Sequence, residues 1–389
     1  MTTLYAFIIL LGVLVTIHEF GHFIAARSVG IRVERFSVGI PPRLVSITSI
    51  DDGFLFKLFF FKFVDGKIKW SPVISKELKK INRKGSNTEY VIALLPLGGY
   101  VKMAGMIDES MDTNIDHKSD EFQSKNLLEK IWVLSAGVLM NTLLAIAVFS
   151  MLGFYNGIPK TKNDPIVFEL QDNMPAKKAG LIAGDKILSI NSTSVETWED
   201  MTKIIHSNPN RILSFKIKRG PELIDLDIKT SEYTVPSEGI IDTIGIIGIR
   251  PEVYYENISF VNALSNGMKQ TISSFGLIVY SLQMLGSGVA SISDLGGPIM
   301  IAQLAGQTAE AGMTPFLTFM ALLSVNLAFL NILPIPGLDG GHIFIHLIEG
   351  ILRRPLKIKT RVVIQQIGMA LLLMLMVTVI MQDITRLFN

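Results

Sequence analysis

The pentapeptide His18-Glu19-Phe20-Gly21-His22 sets two imidazoles four residues apart with a carboxylate between them. On a helix, positions i and i+4 share a face, so both rings can reach one metal ion. Glu19 stands one position round, where it can meet a water on that metal without ligating it, as a general base requires. The implied chemistry is hydrolysis by a metal-activated water. The setting strengthens this reading. The surrounding stretch, Leu4 to Ala26, is otherwise apolar, and a charged group at mid-membrane costs about 2.5–3.5 kcal/mol.

Catalytic zinc takes three protein ligands and leaves one position open. The chain has no cysteine, so the third ligand must be His, Asp or Glu. Asp339 is the best candidate. It ends the segment Asn331-Ile-Leu-Pro-Ile-Pro-Gly-Leu-Asp339, in which Pro334 and Pro336 cannot continue a helix. Gly337, Gly340 and Gly341 permit a tight path. Asp-Gly is equally a turn signal. His342 is a rival ligand from the same segment and His346 a weaker one. His117 and His206 fall in polar stretches and read as solvated.

Positioning these groups falls to membrane segments. Four stretches of about 20 residues are long enough to span the hydrocarbon: roughly Leu4–Ala26, Ile131–Phe154, Pro315–Leu333 and Val362–Met381. The first has no preceding basic residue and no small-residue cleavage site, which argues against a secretory signal. Tyr90 to Met106 is apolar but short, and Pro96, Gly98 and Gly99 interrupt it. It reads as a re-entrant β-hairpin, since irregular backbone at that depth must be buried in protein or line a wet cavity.

Charge sets the expected topology. Residues 27–130 carry 17 Lys+Arg against 13 Asp+Glu, and residues 156–314 carry 13 against 17. The link from Arg353 to Arg361 holds five basic residues and no acid. By the positive-inside rule, 27–130 and 353–361 face the cytoplasm, and 156–314 lies outside. The composition agrees with a membrane protein: 49% hydrophobic and only 18% charged, where soluble domains approach 25% charged. A net charge of +2 gives no nucleic-acid signature.

Ala179-Gly-Leu-Ile-Ala-Gly184-Asp185-Lys-Ile187-Leu188-Ser-Ile190-Asn191 looks like a PDZ core, with a turn at Gly184-Asp185 and a strand after it. A helix near Thr197–Ile205 and strands near Arg211–Arg219 and Ile224–Lys229 complete a small α+β unit. Residues 160–250 suffice for one such domain.

HEFGH in a first membrane helix, followed by NxxPxPxLDGG in another, resembles the site-2 protease family of intramembrane zinc metalloproteases, of the bacterial RseP/RasP type. FSVG at 36–39, EYVIALLPLGGYVKM at 89–103, GGPIMIAQLAG at 296–306 and LLSVNLAFLNILPIPGLDGGH at 322–342 carry the likeness along nearly the whole chain. The resemblance implies His18, His22 and Asp339 as Zn2+ ligands and Glu19 as catalytic base. It marks Asn331 and Pro334, with Gly98 and Gly99 of the re-entrant segment, as substrate-binding. It implies cleavage of single-span membrane proteins, such as an anti-sigma factor or a remnant signal peptide, in the bacterial plasma membrane; a monomer is expected. The PDZ domain is then extracytoplasmic, the active site lies towards the cytoplasm, and the segment 258–310, broken by Gly286, Gly288, Gly296 and Gly297, gates access. Three places depart from the family: Ile40-Pro41-Pro42 after FSVG, Val138 where Pro is usual, and a long Phe- and Lys-rich segment from Ser46 to Thr88.

The expected architecture is a mainly α-helical membrane protein of four transmembrane helices, a re-entrant β-hairpin and one inserted PDZ domain. Its parts are 1–155 (spans 1 and 2, hairpin at 90–106), 160–250 (PDZ), 251–314 (amphipathic gating region) and 315–389 (spans 3 and 4). Two rival readings are a non-catalytic membrane PDZ scaffold and a membrane-anchored zinc peptidase acting on soluble chains. A purely structural zinc site prefers four protein ligands, which disfavours the scaffold.

Overall fold

The computed structural model describes residues 2–64, 67–79, 84–106, 118–237, 240–291 and 296–388. His117 lies outside them. Helix α1 (Thr2–Ser28) leads into β1 (Val33–Ile50), β2 (Gly53–Val64), β3 (Lys67–Lys79) and β4 (Glu89–Met103), then α2 (Leu127–Asn156). Next come β5 (Ile158–Thr161), β6 (Glu169–Leu170), α3 (Pro175–Lys178), β7 (Lys186–Ile190), β8 (Thr193–Ser194), α4 (Trp198–His206), β9 (Ile212–Arg219) and β10 (Glu222–Lys229). Strands β11 (Ser231–Ser237), β12 (Ile240–Ile246), β13 (Ile249–Arg250) and β14 (Val253–Glu256) follow. Helices α5 (Phe260–Gly286), α6 (Pro298–Ala311), α7 (Met313–Ile332), α8 (Asp339–Leu352) and α9 (Ile358–Phe388) end the chain.

Among the described residues, four helices are long and apolar enough to cross a membrane: Thr2–Ser28, Leu127–Asn156, Met313–Ile332 and Ile358–Arg386. Helix nevertheless makes up only about half of the chain, so the mainly helical expectation is corrected. The difference lies in residues 33–103, where β-branched and aromatic residues build a four-stranded sheet of order β3-β2-β1-β4.

This sheet also corrects the hairpin expected at Tyr90–Met106. Phe36 is partnered by both Val101 and Tyr90, Ser37 by both Tyr100 and Val91, and Val38 by both Gly99 and Ile92. A strand has only two edges, so the halves of β4 flank the first half of β1 instead of each other. The chain does reverse between Leu95 and Gly99, where Gly98 takes φ +147°. Contrary to the short pieces expected after residue 258, α5 runs unbroken for 27 residues to Gly286.

One compact unit comprises residues 1–152 and 264–389. In it, α6 packs along α1, burying Ala305 with Ala6, Leu10 and Leu14, and also Phe316 and Met320 of α7. Asp383 on α9 caps α6 from a distance. Its carboxylate accepts from the backbone N–H groups of Gly297 at 3.1 Å, Ile299 at 3.0 Å and Met300 at 3.2 Å. These are orphan donors of a helix start, and the negative charge suits the N-terminal dipole.

The second unit, residues 153–263, has its own core. Val167, Leu181, Ile187, Ile190, Met201, Phe215, Ile217 and Ile228 are all buried. Its main sheet has the order β10-β9-β7-β8. Thr197 and Asp200 form a capping box on α4. Asp185 is buried at the turn before β7. Its carboxylate accepts from Arg219 Nε at 2.9 Å, Arg219 Nη2 at 2.8 Å and the Ile182 N–H at 3.0 Å. Burial raises the pKa of this carboxyl, but the Arg219 and Ile182 hydrogen bonds outweigh it and hold the group below its ordinary value. His206 is half-buried at the end of α4, not solvated as expected, and burial lowers its pKa.

Candidate metal centre

Helix α1 presents His18 and His22 on one buried face. Helix α2 lies close against that face, because Gly21 has no side chain to strike the Ala136 carbonyl oxygen. The α7–α8 link, residues 333–338, brings Asp339 in from the other end of the chain as the first residue of α8. Gly340 and Gly341 are packed against the carbonyls of Ile332, Leu333 and Ile335, and Gly368 of α9 against that of Pro336. No Cβ fits at these points, so the turn is held tightly on both sides.

The result is a cluster of three donor atoms. His18 Nε2 and His22 Nε2 are 3.2 Å apart. Asp339 Oδ2 lies 3.1 Å from the first and 3.3 Å from the second. Atoms bound tetrahedrally to zinc at about 2.0–2.1 Å are about 3.3 Å apart, so the spacing fits that ion. Two further observations agree. Asp339 Oδ2 is buried without a hydrogen-bond donor, although both imidazoles crowd it. Gly137 on α2 forms the floor of the cluster: a Cβ there would sit 2.5 Å from His18 Cε1 and 2.6 Å from both Nε2 atoms. The cradle is one that a single methyl group would fill.

The outer nitrogens are also held. His22 Nδ1 is 2.8 Å from the Val133 carbonyl oxygen, and His18 Nδ1 is 3.3 Å from the Asn141 amide. The first is the kind of contact that fixes ring orientation at metal sites; in the second the partner atom is the amide nitrogen of Asn141. Asn141 is itself held where Ser324 Oγ of α7 donates to its carbonyl at 2.8 Å. Sequence reasoning gave Gly137 and Asn141 no role. An amide inside an apolar span was the available signal for Asn141; nothing in the sequence marks Gly137 as facing the histidines.

Glu19 meets the sheet. The backbone amide of Val101 lies near its carboxylate, and a Cβ at Gly99 would come within 3.7 Å of Glu19 Cγ. A Cβ at Gly98 would lie 3.5 Å from Val15 Cγ1, so both glycines run beside α1. Asn331 is half-buried in the last turn of α7, and Pro334 is exposed in the link. The rival ligands lie elsewhere. His346 Nδ1 pairs with Glu349 Oε2 at 3.0 Å, and His342 lines a small cavity with His346, Arg361 and Gln365. Among the described residues, His18, His22 and Asp339 are the one group able to hold a metal ion.

Comparison with known proteins gives the family of the chain. The profile of peptidase family M50 matches residues 6–71 and 67–375. A Rickettsia conorii relative is 33% identical over 396 residues, covering 100% of both chains. The zinc metalloprotease RasP of Oceanobacillus iheyensis is 30% identical over 434 residues, again covering 100% of both. Among solved structures, the PDZ domain of an SdrC-like protein from Listeria monocytogenes matches 24% of this chain and 90% of that domain, at 25% identity and a TM-score of 0.19.

Proposed function

Because the chain belongs to peptidase family M50, we propose that it is an intramembrane zinc metalloprotease in which His18, His22 and Asp339 hold the metal and Glu19 is the general base. The observation that carries this is the 3.1–3.3 Å triangle of donor atoms drawn from α1 and α8. Bound zinc supplies a Lewis acid that brings the pKa of water towards neutrality and polarises the scissile carbonyl. Glu19 takes the proton of the attacking water and returns it to the leaving amine. The His22–Val133 and His18–Asn141 contacts keep both Nε2 atoms turned inward.

A helical substrate hides its carbonyls in backbone hydrogen bonds and must unwind before it is cut. The second half of β4 supports this step, since Gly99 and Val101 lie beside Glu19. A substrate strand adding along Gly99–Val101 would bring its backbone to the base, with Gly98 and Gly99 giving room for close approach. Asn331 and Pro334 shape the opposite wall. The substrates are single-span membrane proteins, an anti-sigma factor or remnant signal peptide among them. The 153–263 unit acts as a PDZ filter on the extracytoplasmic side, α5 and α6 gate access, and the metal faces the cytoplasm, a reading the basic Arg353–Arg361 link supports. The protein works as a monomer in a bacterial plasma membrane.

Mapping one cleavage site on a purified single-span substrate tests the reading. A cut inside the apolar segment is expected, abolished in Glu19→Gln with metal content unchanged. Cuts confined to soluble loops would point to the membrane-anchored peptidase, and retained cleavage in Glu19→Gln would reject the base.

A further inference from the structure

The long Phe- and Lys-rich segment that sets this chain apart forms the β2–β3 hairpin, and its two faces differ. Pairing of Phe61 with Trp70 and of Phe63 with Ile68 puts four apolar side chains on one face near the tip. Pairing of Lys62 with Lys69 puts two ammonium groups on the other, which carries Phe60 one pair further from the tip. Phe61 is 61% exposed, Phe63 73% and Ile68 69%, so nothing among the described residues covers this face. Residues 53–79 hold six lysines against two acids. An uncovered apolar edge is a liability in water.

The direction of the hairpin names what covers it. The reversals of β1 near Gly39–Pro42 and of β4 near Leu95–Gly98 meet at one end of the sheet through the Ile40–Leu95 pair. That end lies along the membrane-spanning α1, where a Cβ on Gly12 would come 3.3 Å from the Pro96 carbonyl oxygen. Val45 pairs with Leu58, and β2 runs antiparallel to β1, so residues 59–64 extend towards this same end. Two contacts fix the course: Trp70 Nε1 donates to the Arg43 carbonyl at 2.6 Å, and the Arg43 guanidinium stacks over Phe59.

We propose that the β2–β3 tip is a membrane-surface anchor: it lies in the bilayer interface with Phe61, Phe63, Ile68 and Trp70 against the acyl chains, and the hairpin lysines engage anionic lipid phosphates. At the tip, an apolar face backed by a lysine-bearing one suits a ribbon lying in the plane of the interface. A tip pushed straight into hydrocarbon would bury Lys62 and Lys69. Aromatic side chains favour the interfacial level, and lysines reach the headgroups along their apolar stems. The anchor would hold the sheet, and with it Val101, at a fixed depth beside Glu19. It requires only that the chain sits in a bilayer, not that it is a peptidase.

The chain has no cysteine, so single cysteines can be introduced and spin-labelled in the full protein. The test uses Phe61→Cys, Phe63→Cys, Ile68→Cys, Lys62→Cys and Lys69→Cys in liposomes of phosphatidylcholine, with and without phosphatidylglycerol. Collision with oxygen should exceed collision with a water-soluble nickel chelate at 61, 63 and 68, and the ratio should invert at 62 and 69. Adding phosphatidylglycerol should move the first three labels deeper. Zinc content equal to that of the parent shows that each variant is folded. Chelate access without alternation overturns the anchor, as does protection that arises only when a single-span substrate is added, which would make the face a protein-docking surface. Equal depth in both lipid mixtures overturns the lysine–phosphate contact.

Discussion

His22 Nδ1 lies 2.8 Å from the carbonyl oxygen of Val133, and a carbonyl can only accept. The proton of the neutral ring therefore sits on Nδ1, and Nε2 is left free on the side of His18 and Asp339. One backbone atom of α2 thus selects the tautomer that a metal ligand needs.

His18 Nδ1 instead meets the side-chain amide nitrogen of Asn141 at 3.3 Å, a contact that holds the ring and can be removed. Asn141→Leu should lower zinc affinity by about 10–100-fold, the usual effect of losing a contact that orients a ligand. Competition against a graded chelator series reads this directly. Unchanged affinity would show that His18 is held by packing alone.

Gly137→Ala separates helix stability from metal binding. In a helix interior alanine is favoured over glycine by about 0.8–1.0 kcal/mol, so α2 itself should gain. Yet the new methyl would sit 2.5–2.6 Å from the ring atoms of His18 and His22. The expected outcome is a folded protein that purifies with little zinc and cleaves nothing. Metal analysis beside circular dichroism distinguishes this from misfolding.

Asp339→Ala should empty the site and abolish turnover, whereas His342→Ala and His346→Ala should leave zinc bound, since these two rings lie outside the cluster. A chain that keeps full zinc occupancy without Asp339 would require a different third ligand.

Acid should loosen residues 153–263 through Asp185. Its folded pKa is lowered, so its contribution is complete above the ordinary carboxylate pKa and is lost as pH falls through the depressed folded value. Asp185→Asn should cost about 1–3 kcal/mol through hydrogen bonds left weak or unmade. It should also flatten the acid limb. Amide exchange at Ile187 and Ile217 in the full chain, followed against pH, measures both effects.

Much of this was legible in the sequence because the signals were periodic or locally costly. The four apolar runs declared themselves by length, and the four spanning-length helices contain nearly all of each. His18, Glu19 and His22 stood out because ionisable groups are expensive in an apolar helix. Strand β7, helix α4 and strands β9 and β10 lie within a residue or two of the segments expected for the PDZ core. What the sequence concealed was pairing at a distance. The apolar run 90–106 looks like a self-contained hairpin, and only three-dimensional register reveals Val33–Val38 between its halves. Gly137 reads as one more small residue in a membrane helix, because its importance lies in the rings it faces across a helix contact. The choice of Asp339 over His342 depended on family likeness, since three residues of spacing cannot say which side of α8 turns inward.

The carboxylate of Asp383 sits six residues before the end of the chain and supplies three acceptor contacts to the start of α6, which packs along α1, the helix of His18 and His22. Trimming the tail by a mere seven residues would therefore unlatch an internal helix, and the disturbance would be felt at the opposite terminus of the polypeptide.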